Sequence, residues 1–464
     1  MNNYVIKIMT KNMLKSRHVQ MIALGGVIGS SFFWGTAQAI NATGYSVVLA
    51  YLICGLAIYI IMRALSEMVY FYPCDGAWSY YAKKFVHPYL GFVSSWNSWF
   101  EYTIVCMVDL NACALFIHNF IPSTPIWIIS IPILLCACLI QLTNVNLFGE
   151  IEFYSSLFKI LVIVGMLVLS GYLLFFDPEI QKNLILYLPH IRQKSVLFSN
   201  GIHGFIYTTI VAMFSFGGIE FIAIAVANTK DPRTLITKVT NSLVFRIIFF
   251  YVFTIVALLL LHPQAHIEGN NPFISVFNDL HFNKSATFMN IVAICASFSA
   301  FNSCLYASSR MLAHFTYDHI KNPSPTTINR ANQKSLYITL IVITFAIILN
   351  YIFPEKAIFY LVIIATSSII VTWATILISH IYYRKNMSDY RKNMSAYKTD
   401  NNPMRLKFFP YSMGFALGML LFVFIAMFFM PDTRKSAMVT PLWIIILSIA
   451  YKICHKYKQN NDTN

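Results

Sequence analysis

Apolar runs of about 20 residues, the length a helix needs to cross a bilayer, recur along the whole chain with short polar connections between them. Twelve runs centre near residues 30, 58, 104, 134, 162, 214, 249, 300, 344, 369, 418 and 445. They predict an all-α integral membrane protein with twelve transmembrane helices. The same pattern divides the chain into a tail at 1–17, a core at 18–384, a polar loop at 385–405, two further helices within 406–456 and a tail at 457–464.

Two runs depart from a plain spanning pattern. Residues 21–35 read MIALGGVIGSSFFWG and carry four of the chain's 18 glycines, although Gly costs about 1 kcal/mol per site in a helix interior relative to Ala. The sixth run has a similar interruption, FSFGGIEF at 214–221. These runs open two stretches of five spans each, 18–176 and 200–384, and five spans per half invert the second copy relative to the first. Paired Gly-interrupted spans in corresponding places point to an inverted-repeat transporter with its site at the breaks. The first run also fits two different roles. Gly25 and Gly29 could form a small-residue packing face. Lys7, Lys11, Lys15 and Arg17 ahead of an apolar core and Ala37-Gln38-Ala39 imitate a cleavable signal, but the next span follows almost at once, so a retained first span is expected.

Composition fits a lipid environment: 58% of residues are hydrophobic and 11% charged, against about half and a quarter in soluble domains. The net charge of +15 is unevenly placed. With a cytoplasmic N-terminus, 25 of the 33 Lys and Arg fall on the inner side and seven on the outer, and Lys159 lies within a span. That positive-inside bias puts both termini in the cytoplasm of an inner (plasma) membrane and argues against a nucleic-acid partner. The connection at 380–407 holds seven basic residues and a direct repeat, YRKNMSD then YRKNMSA, which suits a solvated loop in contact with lipid headgroups. The outer connection at 263–284 contains ISVFNDL, a candidate interfacial helix. Nine cysteines form no C-x-x-C pair, and His262 and His266 are separated by Pro263, so no metal or other cofactor is expected. No nucleophile constellation or phosphate loop argues for an enzyme.

Unwinding a helix in lipid frees backbone groups that cost several kcal/mol each unless satisfied. Free N–H groups at the start of a half-helix favour an anion, and carbonyls at the end of one favour a cation, so two breaks together suit a zwitterion. Lys159 lies about 15 Å into the fifth span, too deep to snorkel, and an ionisable group there is a functional candidate. Glu220 follows the second break, and Glu101 and Asp109, eight residues apart on span three, are expected near one face. Phe214 and Phe216 flank the second break and could cover a bound ammonium group. Arg63, Glu67, Arg246 and Arg310 lie toward span ends, where ion pairing or snorkelling is expected.

Several ordered stretches resemble the signatures of the amino acid permeases, the amino acid transporter branch of the amino acid-polyamine-organocation superfamily. They are HVQMIALGGVIGSSFF, MRALSEMVYFYPCDGAWSYYAKKFVHPYLGF, VNLFGEIEFYSSLFKI, FSFGGIEFIAIAVANTKDP with RIIFFYV after it, and NSCLYASSRML. The resemblance implies a leucine-transporter-type 5+5 inverted repeat with helices one and six broken, and proton-driven uptake of an L-amino acid. It places the substrate at Ala23, Gly25, Gly26, Gly29, Ser30 and Ser31 with Phe214, Phe216, Gly217 and Gly218. It makes Phe214 the gating aromatic, Glu220 the conserved-motif acid and Lys159 the group that replaces a sodium ion and couples protons; no oligomer is implied. VDLNA around Asp109 is most similar to lysine-specific permeases, which leans the substrate toward lysine or another basic amino acid; neutral or aromatic substrates, or exchange in place of symport, are the alternatives. Departures from the family pattern are Ser31 in place of a third glycine, Ser66 for a usual glycine, Asn228 where many relatives have glutamate, and Thr237 for a usual proline.

Overall fold

The computed structural model describes residues 21, 28–74, 76–143, 145–191, 198–227, 229, 231–261, 273, 284–317, 324–354, 356–393 and 403–462. The tail at 1–17, Ala23, Gly25, Gly26, the ISVFNDL segment and most of the polar loop after 393 lie outside the described residues. Every regular element within them is helical. A π-helical turn, Ser31–Gly35, leads into α1 (Thr36–Thr43), followed by α2 (Val47–Phe71), α3 (Ala77–Tyr81), α4 (Pro88–His118), α5 (Ile126–Gln141), α6 (Val145–Phe176) and α7 (Pro178–Ile191). The remainder comprises α8 (Gly201–Ser215), α9 (Phe221–Ala227), α10 (Pro232–Ile247), α11 (Thr254–Leu261), α12 (Ser285–Tyr317), α13 (Pro325–Ile352), α14 (Ala357–Asn393), α15 (Tyr411–Phe429), α16 (Pro431–Ala437) and α17 (Val439–Asp462).

Eight helical stretches among the described residues are long and apolar enough to cross a membrane. The first, Ser31–Phe71, holds two of the apolar runs, because Gly44 at φ 65 ends α1 and lets the chain turn back into α2. Three further runs fall on helices too short to span by themselves, Ile126–Gln141, Gly201–Ser215 and Ile248–Leu261. In the last two the helix changes character: α8 stops at Ser215, and a π-helical stretch, Ile248–Phe253, precedes α11.

The centre of the bundle is α4 packed along α12, with α14 against the other side of α4. In α4 and α14 78% of the most apolar window is buried by other helices, against 17% in the window covering α16 and α17, which marks the first two as core and the last as lipid-facing. Lipid is as apolar as leucine, so helix association relies on close packing and polar contacts. Those contacts are specific here. Asn97 Nδ2 donates to Ser368 O at 3.0 Å and Thr372 Oγ1 at 3.1 Å, joining α4 to α14. The hydroxyls of Thr103 and Ser308 meet at 2.7 Å between α4 and α12. Trp99 Nε1 donates to Thr339 Oγ1 at 3.1 Å, bringing α13 onto α4.

One end of the bundle is closed by a carboxylate. Glu67 near the end of α2 accepts on Oε2 from Arg384 Nη2 at 2.6 Å and from the Leu406 backbone N–H at 2.9 Å, with His380 Nε2 at 3.0 Å. Arg63, one turn earlier, donates to Asn241 Oδ1 at 3.0 Å and to the carbonyls of Pro403 and Arg405 at 3.1 and 3.3 Å. The pairing expected for Glu67 is therefore present, while Arg63 is held by an amide and carbonyls; together they tie α2, α10 and α14 to the segment that leads into α15. Removing one partner of a buried ion pair leaves the other charge uncompensated and costs on the order of 3–5 kcal/mol. Glu67→Ala should accordingly lower the unfolding temperature of the detergent-solubilised protein well below that of Glu67→Gln, which retains an acceptor; fluorescence-monitored melting of both variants checks the order.

Candidate functional site

The chain bends at Ile28 and Gly29 before a helix begins at Ser30. Two charged side chains from different helices flank the bend. On one side Asp109 of α4 accepts from Ser30 Oγ at 2.5 Å and from the Ser30 backbone N–H at 3.3 Å, so a carboxylate occupies the N-terminal end of that helix. On the other, Lys159 of α6 donates from Nζ to the carbonyl of Ile28 at 3.1 Å. Lys159 is fully buried. Gly29 is needed for closeness rather than for conformation: a Cβ on it would lie 2.8 Å from Ala300 Cβ of α12 and 3.4 Å from Asp109 Oδ1.

Lys159 does not act on the bend alone. Its ammonium also donates to Ser299 Oγ at 3.1 Å, and that hydroxyl donates onward to Glu152 Oε2 at 2.8 Å. Glu152 Oε1 accepts from Asn302 Nδ2 at 3.2 Å, and Asn302 in turn is held by Gln141 Nε2 at 2.8 Å. A continuous polar line thus runs from the bend, through α6 and α12, to the end of α5. Glu152 was not singled out by sequence reasoning, although the signal was available: it precedes Lys159 by seven residues, two turns on one helix face.

The second bend follows α8. Residues 216–220 form turns, with Gly217 N–H donating to Phe214 O at 2.9 Å and Phe221 N–H to Gly218 O at 3.1 Å. Gly218 sits at φ 87, where a side chain is strained, and a Cβ on Gly217 would come within 2.6 Å of Ile369 Cδ1. The two bends touch. Ser215 Oγ reaches the carbonyl of Ser31 at 3.4 Å and the Tyr51 hydroxyl at 3.2 Å, and Tyr251 OH donates to Ser215 O at 2.8 Å. Rings of Phe32, Tyr51, Phe216 and Tyr251 pack around this junction, with centroids 5.2 Å apart for Phe216–Tyr251 and 5.8 Å for Tyr51–Phe216. Phe216 is fully buried in that cluster and Phe214 is 4% exposed beside it.

Glu220 lies just past the second bend, but its oxygens are already engaged. Tyr102 OH donates to Oε1 at 3.0 Å and Trp373 Nε1 to Oε2 at 3.1 Å. Glu101 accepts from Thr372 Oγ1, and its Oε1 is buried without a hydrogen-bond partner among the described residues. Among the described residues no cation pairs with either carboxyl. Glu101 and Asp109 therefore face different neighbours, α14 and the first bend, since eight residues rotate a side chain by about 80°, enough to separate them in a crowded bundle. The described structure thus brings together Gly29, Ser30, Ser31, Asp109 and Lys159 at the first bend and Phe214, Phe216, Gly217, Gly218 and Glu220 at the second.

A helical bundle in which a bend before one helix adjoins a run of turns after another, with buried charge beside both, suits a multi-pass membrane transporter. The fold matches that of a solved Na+-coupled sialic acid symporter in a substrate-bound outward-open state, with a TM-score of 0.56 over 94% of each chain at 12% identity. The amino acid permease family model matches residues 18–462, and the chain belongs to that family. It is 31% identical to the aromatic amino acid transport proteins AroP of Salmonella typhimurium (strain SL1344) and Escherichia coli (strain K12), covering 95% of each chain. It is equally similar, at 31% over 95% of both chains, to the transporter YdgF of Bacillus subtilis (strain 168). The protein is accordingly an amino acid permease and not an enzyme.

The Gly29–Ala300 contact yields a direct check. Gly29→Ala should reduce uptake several-fold with unchanged membrane yield, because overpacking costs about 1–3 kcal/mol at a place where α12 must meet the bend. Gly29→Ala combined with Ala300→Gly should recover most of the activity, measured as uptake per folded protein.

Proposed function

We propose that this permease has twelve spans in a 5+5 inverted repeat with both termini cytoplasmic, and that it couples uptake of an L-amino acid across the bacterial inner membrane to protons. The observation that carries the coupling is the Lys159 ammonium on the Ile28 carbonyl, with Ser299 and Glu152 behind it. A buried ammonium at the carbonyl end of a helix break does there what a bound metal cation would do, and it can also surrender a proton. While charged it holds the first bend through a charge-assisted hydrogen bond; once it gives its proton away the remaining N–H groups hold the carbonyl more weakly, which loosens the first half-helix to swing. Ser299, hydrogen-bonded to both Lys159 and Glu152, is placed to pass that proton on.

The substrate's carboxylate would lie on backbone N–H groups of the first break, in the stretch containing Ala23, Gly25, Gly26, Gly29, Ser30 and Ser31, and its ammonium on carbonyls near Phe214, Phe216, Gly217 and Gly218. Glu220 is better suited to proton coupling than to touching substrate, since Tyr102 and Trp373 occupy its oxygens. The side chain we favour is uncharged and aromatic. The lean toward lysine rested on the VDLNA segment, and its acid, Asp109, is doubly bonded to Ser30; the named relatives AroP carry aromatic amino acids.

In proteoliposomes, uptake of labelled phenylalanine should rise as the outside pH falls and vanish with a protonophore. Lys159→Ala should still bind substrate and exchange it, but lose accumulation against a gradient; accumulation equal to the unsubstituted protein would remove Lys159 from the coupling. Among the other nineteen amino acids, tyrosine and tryptophan should compete best. Competition by lysine and arginine with no effect of the aromatics would restore the basic substrate, and counterflow undiminished without a proton gradient would favour exchange.

A further inference from the structure

Away from the breaks, a cavity of about 350 Å³ opens where α5, α6, α12 and α13 meet. It lies at the bundle end that holds the Gln141–Thr143 turn, which faces the cytoplasm in the topology proposed above. Its walls are unlike a lipid-facing seam. Arg310 projects into it with the guanidinium 4.9 Å from the centre of the Tyr306 ring, and Tyr306 is stacked on Phe148 at 4.5 Å with an interplanar angle of 10°. Thr143, Asn329, Asn332 and Gln333 complete a polar rim.

Three features define what would fit. Among the described residues that line the cavity there is no carboxylate, and Arg310 forms no ion pair among the described residues, so the guanidinium brings a positive charge with unused donors. The Oδ1 atom of Asn332 is buried without a partner among the described residues, so that oxygen does not fix how the amide is turned. The stacked Phe148–Tyr306 pair makes a floor on which the guanidinium rests over the Tyr306 ring. A planar fork of N–H donors with amides and hydroxyls beside it matches the oxygens of a phosphate or carboxylate.

We propose that this cavity is an anion site, separate from the substrate path, that takes a phosphate or carboxylate group through the Arg310 guanidinium with Gln333 and the Asn329 and Asn332 amides. The anion could arrive on an anionic phospholipid headgroup at the membrane surface or as a soluble ion, and both present the same oxygens to Arg310. The proposal does not require that any particular amino acid be transported.

The test uses the full-length protein stripped of lipid in detergent, unsubstituted and as Arg310→Gln and Gln333→Leu. Native mass spectrometry counts adducts of phosphatidylglycerol against phosphatidylcholine, and thermal melting is followed as inorganic phosphate is added. Loss of a charge-assisted contact weakens binding about tenfold or more. A phosphatidylglycerol preference that Arg310→Gln reduces by that factor, and Gln333→Leu reduces less, identifies a headgroup site. A phosphate-dependent rise in melting temperature that disappears in Arg310→Gln identifies a soluble anion. If Arg310→Gln does not fold, Gln333→Leu carries the comparison. Adduct preference and phosphate response that are absent from the unsubstituted protein, or unchanged in the variants, overturn the proposal.

Discussion

A backbone group without a partner in hydrocarbon costs several kcal/mol, and this bundle departs from regular helix at two adjoining places, the bend at Ile28 and Gly29 and the turns at 216–220. The interruptions are sustained because each supplies partners to the other and to neighbouring side chains. Ser215, at the end of α8, bonds to the Ser31 carbonyl and is itself held by Tyr251 and Tyr51. Asp109 takes the exposed N–H at Ser30, and Lys159 takes the exposed carbonyl at Ile28. The charges that look costly at such depth are therefore placed where the backbone needs them, one at each polarity of the broken helix.

Those demands also explain the packing around the breaks. Gly29 must lie against Ala300, and Gly217 against Ile369, so α12 and α14 are brought close enough for their hydroxyls and amides to reach α4. Lipid gives little drive for helices to associate, and it is the polar contacts at Asn97, Thr103 and Trp99 that give these helices a fixed register. The peripheral helices α15 and α17 carry many exposed apolar side chains, and α17 is joined to the core through Thr440, which meets Ser367 and Ser368 of α14, and Ser448, which meets Tyr89 of α4.

Much of this was legible in the chain. Apolar run length gave the helices, and clustered glycines gave the breaks, because both are properties of short local stretches. Lys159 stood out because a charge in an apolar run has no local excuse. What could not be read is what depends on pairing across distance. Thr372 and Trp373 lie in an apolar stretch without a local cue, yet they engage Glu101 and Glu220 from α14. Glu152 carries only half a cue: its spacing from Lys159 puts both on one face, but beside Glu150 near the start of the helix a surface location is the ordinary expectation. Only the approach of Ser299 and Asn302 on α12 turns it inward. Substrate identity is the least local property of all: the VDLNA segment around Asp109 resembles lysine-specific permeases, while the relatives named above are aromatic amino acid transport proteins.

The cluster at Glu67 has a consequence for how the protein is made. Its partners Arg384 and Leu406 lie 317 and 339 residues further along the chain, and synthesis proceeds at about 5–20 residues per second. For roughly 15–60 seconds α2 is present with its carboxylate facing no Arg384, and that end of the bundle stays unlatched until the segment before α15 has emerged. The final two long helices thus arrive behind the piece of chain that locks the core, so assembly of the permease is completed from its C-terminal end.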